Sequence, residues 1–449
     1  MGWDEANRYA RSAVVWGIRF GLPGFGLRTA ARRGDLIAQI TADPRLRADP
    51  FGAYDELRDR GPLAYGRFVA ATVSHPAAVE ILRGEEFEAG QQPLEGGLLG
   101  RLVAAAMDRD TRGPLDPPSL LAIQPPQHSR IRKLVSRAFS AKAVTAYADR
   151  VREIAEELLD GIRNGDPFDL IGSYASLLPV TVIAEIMGVP TENRAEFLAW
   201  GNDAALLLDP DIGWAQYRRA SAATRKLISW FGAHIDRLRA DPGDDLLSQL
   251  VHATEDGDRL TTDELLATAM LLLVAGFETT VNLIGNGAAL LIRHPEQLAG
   301  VRADPAGWAG AVEEILRYDS PVQATLRTAR AATTVTGVPV AAGQPVVVML
   351  GGANRDPAVF ADPHAFDVTR ANARDHLAFS SGVHYCVGAQ LARLEGAVAL
   401  RALFERFDGL ELAGAPDRRG TRVLRGYTRL PLRASAAPVP SAPAQAARN

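Results

Sequence analysis

One cysteine has the most distinctive chemical setting in the chain. Cys386 is the single cysteine among 449 residues, so it cannot form an internal disulfide or a multi-thiolate metal site. Gly382 and Gly388 flank it, let the backbone bend, and leave one side of the sulfur open to a flat partner. Apolar residues at helical spacing begin at Ala389, so Cys386 lies just before a predicted helix N-terminus. The unpaired N–H groups at that end favour a thiolate over a thiol. An anionic sulfur in such a loop suits an axial ligand to haem iron, whereas a free cysteine is more commonly a small inert hydrophobe.

A long helix that carries an acid and an alcohol is predicted from Leu265 to Ile292. The residues Thr261–Glu264 offer a capping box at its start. Gly276 inside it costs about 1 kcal/mol relative to alanine, which indicates a packing or access requirement. Glu278 and Thr279 follow two and three residues after Gly276, and their side chains could transfer protons. The ordinary alternative for a buried helical threonine is a hydrogen bond to the carbonyl four residues earlier.

Two further spacings place charged side chains on one face of a helix. His128 and Arg132 are four residues apart, so both side chains can reach one anion. Glu314 and Arg317 are three apart and can pair with each other. Such pairs also occur on many solvated helices, and Arg130 is equally compatible with a solvated basic face.

Taken in their order along the chain, these patterns resemble the motifs of the cytochrome P-450 family. Residues 379–388 match the haem-ligand motif F-x-x-G-x-H-x-C-x-G, with Ser380 where the family usually has glycine. The sequence A-G-F-E-T-T resembles the oxygen-binding motif A-G-x-[DE]-T-T, and E-I-L-R resembles the E-x-x-R helix, whose ion pair is structural in the family. P-P-Q-H-S-R-I-R resembles the start of the P-P-x-H-x-x-x-R helix. Gln124 precedes it at a position that is usually acidic, which we expect to affect the helix entry more than a cofactor contact.

The resemblance implies a cofactor and a set of site residues. The cofactor is haem b (iron protoporphyrin IX), with Cys386 as the ligand to its iron. Glu278 and Thr279 are implied as the catalytic pair that relays protons during oxygen activation. The other cofactor-binding residues are His128, Arg132, Arg327, His384, Phe379 and Gly276, of which the two histidines and two arginines are assigned to the haem propionates.

The fold class implied is mainly α with a small β portion, the single-domain cytochrome P-450 fold. We expect residues 1–48 to pack on or near the core, residues 49–433 to form the haem-binding monooxygenase domain, and residues 434–449 to be a disordered tail. Amphipathic helices are predicted near residues 142–164, 174–187, 214–239, 263–293, 306–318 and 389–407, with strands within 62–73 and 331–350.

Composition favours a soluble, cytoplasmic enzyme with a large core. The net charge is −4, with 23% charged and 47% hydrophobic residues, and nothing suggests nucleic-acid binding. Two apolar runs near the N-terminus, residues 13–18 and 20–27, are separated by Arg19. Each is well short of the roughly 20 apolar residues that a membrane span needs. We therefore expect a short amphipathic helix on the surface and no integral membrane anchor.

The predicted function is that of a haem-thiolate monooxygenase that inserts one oxygen atom from O2 into a hydrophobic organic substrate. No flavin or nicotinamide domain fits beside the haem domain, so the resemblance implies a ferredoxin and a ferredoxin reductase as electron donors. Two alternatives stay open: a haem peroxygenase that uses H2O2, and a non-catalytic haem-binding protein, neither of which needs the acid and the alcohol. The predicted pocket wall contains the apolar residues Leu98, Leu99, Leu102, Val103 and Met107. Steroid, fatty acid, terpene and polyketide substrates are all compatible with it.

Overall fold

The computed structural model describes residues 3–89, 98–107, 112–253 and 259–435, and it is mostly helical. The helices are α1 (Trp3–Trp16), α2 (Leu22–Arg32), α3 (Leu36–Ala42), α4 (Pro44–Ala48), α5 (Phe51–Asp59), α6 (His75–Arg83), α7 (Leu98–Ala106), α8 (Gln127–Ala138), α9 (Ala141–Ala146), α10 (Ala148–Asp160), α11 (Leu177–Ile186), α12 (Arg194–Ala205), α13 (Trp214–Ala240), α14 (Leu246–His252), α15 (Thr262–Arg293), α16 (Pro295–Ala303), α17 (Gly307–Tyr318), α18 (Leu350–Ala353) and α19 (Ala389–Arg406).

Short strands make up the β portion. They are β1 (Ala64–Tyr65), β2 (Ala70–Thr72), β3 (Phe87–Ala89), β4 (Pro167–Asp169), β5 (Thr325–Ala329), β6 (Thr333–Val335), β7 (Val338–Val340), β8 (Pro345–Val348), β9 (Gly409–Leu412), β10 (Asp417–Arg418), β11 (Tyr427–Arg429) and β12 (Pro431–Ser435). The largest sheet has the order β1-β2-β8-β5-β3, in which β2 and β8 are parallel and the other pairs antiparallel. The predicted mainly α fold with a small β portion is confirmed.

Helix α15 runs through the centre of the main hydrophobic core and contacts α11, α12, α13, α17 and α19. Its start is the predicted capping box: the Glu264 N–H donates to Thr261 Oγ1 at 3.2 Å, and the Thr261 N–H donates to Glu264 Oε2 at 2.9 Å. Among the described residues it is the one helix long and apolar enough to cross a membrane, but 78% of that stretch is buried inside the protein. Its apolar character is therefore that of a core helix.

The N-terminal residues form more structure than the short helix predicted for them. Helix α1, a π-helical turn at Gly17–Gly21 and α2 follow one another without a break, and we call them the N-terminal helices (Trp3–Arg32). They pack on α7 and on the start of α13. The apolar side chains they contribute belong to a separate hydrophobic cluster, made of Val15, Phe20, Leu207, Ile212, Tyr217 and Ala220 with partly buried neighbours.

Two predicted boundaries differ from the structure. The helix expected over 142–164 is divided into α9 and α10, because the Tyr147 N–H donates to Val144 O at 3.0 Å in a tight turn that restarts the helix. At the C-terminus, β12 includes Ala434 and Ser435, so the last strand extends into the predicted tail; Ala434 pairs with Leu410 of β9 and is fully buried. The remaining tail residues, 436–449, lie outside the described residues.

Candidate active site

The loop that carries Cys386 is held in a tight bend before α19. The Cys386 N–H donates to Phe379 O at 3.0 Å, and a single 3-10 turn spans Gly382–His384. Gly382 has a φ of +68°, and a side chain there would collide with the Leu82 carbonyl oxygen. Gly388 is the N-cap residue of α19. Cys386 thus stands just before a helix N-terminus, as its spacing from Ala389 predicts.

The protonation of Cys386 differs from the expectation based on the helix end alone. Solvent reaches Cys386, although the protein atoms packed around it still desolvate the thiol. Burial raises the pKa of the Cys386 thiol, while the Gly388 N–H and the charges of Arg132 and Arg393 act in the opposite direction. A coordinated metal cation would reverse this balance, because a ligating thiol loses its proton.

Four cationic or potentially cationic side chains converge beside this loop. Helix α8 supplies His128 and Arg132, β5 supplies Arg327, and the 3-10 turn supplies His384. The His128 and His384 rings lie 4.4 Å apart, centre to centre. Burial lowers the pKa of His384 to about 3, with repulsion from Arg327, His128 and Arg132 in the same direction.

This cation cluster lacks a negative partner within the described chain. Both ring nitrogens of His128 are buried without a hydrogen-bond partner. Arg327 is buried, its Nη1 donates only to neutral groups of Thr325 (3.0 Å) and Leu326 (2.9 Å), and burial lowers its pKa to about 10. A buried guanidinium such as that of Arg327 is costly without a counter-charge, so the site favours an anionic ligand. The two propionates of haem, next to a lone thiol, fit this donor set.

Gln124, which we expect to affect the helix entry more than a cofactor contact, also lies beside this site. His384 Nε2 lies 3.4 Å from Gln124 Oε1, and the Gln124 amide donates to Ala89 O of β3 at 3.1 Å. Because the amide is neutral, it supplies a hydrogen-bond partner without neutralising the cations.

The acid and the alcohol of α15 have different partners. Glu278 is buried and forms an ion pair with Arg419, in the turn after β10. Burial raises the pKa of Glu278, and Arg419 opposes that shift. Thr279 is half-buried, and its hydroxyl donates to Ala275 O at 2.9 Å, the ordinary bond of a helical threonine. Gly276 faces Ile183 of α11, 3.4 Å from where a side chain would begin. Glu278 thus pairs with Arg419, and the histidines and arginines predicted to bind the propionates cluster beside Cys386.

Arg393 and Arg419 form ion pairs near the site that the sequence did not predict. Arg393 donates to Glu313 at 2.7 Å, and its guanidinium carbon lies 4.5 Å from the centre of the Phe379 ring. Hydrogen bonds from His376 and Arg393 outweigh burial and hold the pKa of Glu313 at about 2. The signal that could have found Arg419 is physical: a buried glutamate needs a cation, and the C-terminal segment is rich in arginine.

The Glu314–Arg317 pair is fully buried near the C-terminal end of α17. Arg317 Nε and Nη2 each donate to one carboxylate oxygen at 2.7 Å, in a bidentate arrangement. The same guanidinium also donates to the carbonyl oxygens of Asn354, Pro363 and Ala365. All its donors are used within the protein, so the pair holds the loops together and has no group left for a ligand.

Comparison with known proteins decides the family. Cytochrome P-450 140 of Mycobacterium tuberculosis is 46% identical over 433 residues, which cover 93% of this chain and 96% of that protein. The chain belongs to the cytochrome P-450 family. The family model for cytochrome P-450 matches residues 206–304 and 309–421. The 6-deoxyerythronolide B hydroxylase of Saccharopolyspora erythraea is 45% identical over 313 residues, 69% of this chain and 76% of that one.

The fold agrees with this assignment. The structure of CYP164A2, a cytochrome P-450 of Mycobacterium smegmatis with econazole bound, superposes with a TM-score of 0.80 and 37% identity, over 89% of this chain and 99% of that chain. This P-450 is therefore a monooxygenase with a haem cofactor, and it uses O2, an organic substrate and redox partner proteins.

Proposed function

We propose that this P-450 binds haem b through Cys386 and inserts one atom of O2 into a hydrophobic organic substrate, with electrons from a ferredoxin and its reductase. The observation that carries the proposal is the cation cluster without a counter-charge beside the lone thiol. His128, Arg132, Arg327 and His384 would hold the two propionates, and Phe379 would pack beside the ligand loop. When bound, the haem supplies the oxidation chemistry, and the chain positions it and controls protons and water.

Glu278 and Thr279 are proposed as the proton relay on α15. A carboxyl group with a raised pKa keeps its proton to higher pH than an exposed glutamate does and can release it to a neighbour, which is what a relay requires. The Thr279 hydroxyl can rotate from Ala275 O toward the site and hold a water molecule there. Gly276, one turn before Thr279, packs against Ile183 of α11.

The substrate is proposed to be hydrophobic. Helix α7 exposes Leu98 and Leu102, with relative exposures of 75% and 46%, in the region where the pocket wall is predicted. Val103 and Met107 are half-buried beside them, and the side chain of Leu99 lies outside the described residues. A relative named as a hydroxylase supports hydroxylation as the reaction.

The ferredoxin is proposed to dock on the face nearest Cys386. Val383 and Tyr385 are exposed there, and the exposed cationic residues Arg83 and Arg374 lie around them. Arg83 donates to Ser381 in the ligand loop itself, and Arg374 lies 3.7 Å from Glu313. A cationic rim around an apolar centre suits a negatively charged electron carrier. The composition supports a cytoplasmic location, where such carriers occur.

Replacement of the iron ligand tests the site. We expect Cys386→Ser to lose the red-shifted absorption band of the reduced carbon-monoxide complex, because a serine oxygen cannot supply thiolate charge to the iron. The matched control is Val383→Ser, an exposed change in the same turn, which should keep the band. An unchanged spectrum in Cys386→Ser would overturn the proposed haem site.

Turnover with different oxidants separates the monooxygenase from the peroxygenase. Product should require O2, ferredoxin and reductase, and H2O2 alone should not replace them. In Thr279→Ala we expect electron consumption to continue while H2O2 rises and product falls, because the hydroxyl that positions the water is gone. Thr280→Ala is the control, since Thr280 makes the same kind of bond, to Gly276 O at 3.2 Å, from a buried position. Full coupling in Thr279→Ala would remove the relay from this residue.

A further inference from the structure

The N-terminal helices carry large apolar side chains on the outside of the protein. In α2, Gly24 and Ala30 are buried and mark the face of the helix that packs on the core. Leu22 and Phe25 are three residues apart on the other side, with relative exposures of 59% and 65%. A surface helix of a soluble protein normally has one apolar face, which packs on the core. The second apolar face of α2 therefore has no packing role within the described chain.

A further aromatic side chain extends this exposed surface. Phe68, in the connection between β1 and β2, has a relative exposure of 55%. A side chain on Gly26 would begin 3.5 Å from Phe68 Cζ, so the ring lies against α2 at the position that follows Phe25. We call Leu22, Phe25 and Phe68 the apolar patch. Single exposed apolar residues are common on protein surfaces, whereas adjacent large ones indicate an interaction site.

Arginines border the apolar patch. By helical spacing, Arg32 and Arg33 fall on the same side as Phe25, two turns further along the chain. Arg67 directly precedes Phe68. All three arginines are exposed, and none of them forms an ion pair with the residues that the structure describes. Their charge is therefore available to a partner outside the chain.

The sequence around the patch has no acidic residue to balance these charges. Residues 6–34 contain six arginines and neither aspartate nor glutamate. The next acid along the chain, Asp35, is the N-cap of α3 and accepts hydrogen bonds from the N–H groups of Ala38 (3.0 Å) and Arg67 (2.6 Å). The segment is thus cationic although the whole chain has a net charge of −4. Leucine and phenylalanine beside arginine on a surface helix are typical of helices that lie on an anionic membrane.

We propose that the apolar patch and its arginines attach this P-450 reversibly to the surface of an anionic membrane. The side chains of Leu22, Phe25 and Phe68 enter the boundary between lipid headgroups and acyl chains, and the arginines contact lipid phosphates. The attachment is peripheral, because the one helix among the described residues that could span a membrane is the core helix α15. The proposal goes beyond the proposed oxidation chemistry and does not depend on it.

A lipid surface fits this face better than a protein does. Two copies of the chain joined at the same patch would bring Arg32, Arg33 and Arg67 of one copy against those of the other, and like charges repel. A stable protein interface involves roughly 20–30 residues on each side, far more than the patch and its arginines. Insertion of a few large side chains into lipid needs no such area.

Co-sedimentation with lipid vesicles tests the proposal on the haem-loaded full-length protein. Vesicles of phosphatidylcholine alone are compared with vesicles that also contain phosphatidylglycerol, and bound protein is measured on gels. We expect binding to the anionic vesicles and little binding to the neutral ones. Binding should also fall as the salt concentration rises, because salt screens the arginines.

Variants of the patch separate the apolar and the charged contributions. Phe25→Ser and Phe68→Ser should each weaken binding to the anionic vesicles by about tenfold, because each removes an aromatic ring from the lipid boundary. Phe25→Trp keeps a large ring and should bind like the wild type. Arg32→Gln with Arg33→Gln should weaken binding by about fivefold for each arginine removed.

Matched controls change the same residue types elsewhere on the surface. Leu412→Ser replaces an exposed apolar side chain on β9, and Arg163→Gln with Arg433→Gln removes two exposed arginines. Both control proteins should bind the vesicles like the wild type. Circular dichroism checks that every variant keeps its helices.

Several results would overturn the proposal. They are a wild type that does not bind the anionic vesicles, equal binding to neutral and anionic vesicles, and a folded Phe25→Ser protein that binds like the wild type. Analytical ultracentrifugation adds a further check. A wild-type dimer that Phe25→Ser converts to a monomer, without vesicle binding, would assign the face to a second copy of the chain and overturn attachment to lipid.

Discussion

At the scale of single residues, Ser380 is where the ligand loop departs from the family motif and where its backbone is strained. Its φ is +63°, a left-handed conformation that costs most residues roughly 1–2 kcal/mol and glycine very little. Its hydroxyl is buried without a hydrogen-bond partner among the described residues. The side chain therefore makes no hydrogen bond there that would offset the cost of the backbone conformation. The motif shows that glycine is usual here, and the backbone conformation explains why.

We therefore expect Ser380→Gly to raise the free energy of unfolding by about 1 kcal/mol, measured by urea denaturation of the haem-loaded protein. Ser381→Gly is the control at the next position. Ser381 has an extended backbone, with a φ of −153°, and its hydroxyl accepts a hydrogen bond from Arg83 at 2.8 Å. Glycine there should destabilise the protein. A Ser380→Gly protein no more stable than the wild type would show that the loop already absorbs the strain.

At the scale of elements, local sequence patterns predicted the helix boundaries that are set by residues close together in the sequence. The capping box placed the start of α15 to within a few residues, and the apolar spacing after Cys386 placed α19. Local patterns missed the restart of the helix at Tyr147 and the π-helical turn at Ile171–Ala175.

The candidate site was predictable only where a motif names its residues. The cation cluster joins α8, β5 and the ligand loop, and the contact from Gln124 to His384 spans 260 positions of sequence. Glu278 and Arg419 are likewise brought together only by the path of the chain after β10. Spacing indicates which side chains share a helix face, but it does not indicate which distant cation a buried acid will find.

At the scale of the whole molecule, the turn after β10 links several parts of the fold through arginine. Arg419 pairs with Glu278 of α15, Arg422 with Asp211 between α12 and α13, and Arg425 with Asp319 at the end of α17. Each carboxylate is largely buried. In each pair, the attraction of the nearby guanidinium therefore opposes the free-energy cost of desolvating the carboxylate. For Glu278 burial exceeds the effect of Arg419 and its pKa is raised, whereas for Asp319, which faces several arginines, the pKa is lowered.

This balance at Glu278 predicts how stability depends on pH. A raised pKa means that the folded protein keeps the proton at pH values where the unfolded chain has lost it, so stability falls as pH rises from about 4.5 through the folded pKa. Glu278→Gln cannot titrate, so we expect the wild type to lose free energy of unfolding relative to this variant from about pH 4.5 up to the folded pKa, by at most about 1.4 kcal/mol per pH unit. Urea denaturation across that range measures it. The control is Glu405→Gln, which removes an exposed ion pair with Arg401. Its free energy of unfolding should depend on pH as that of the wild type does. The opposite result would be a free energy of unfolding that rises with pH in the wild type relative to Glu278→Gln. It would mean that the attraction of Arg419 exceeds the cost of burial. Glu278 would then be an ionised structural residue with no proton to relay.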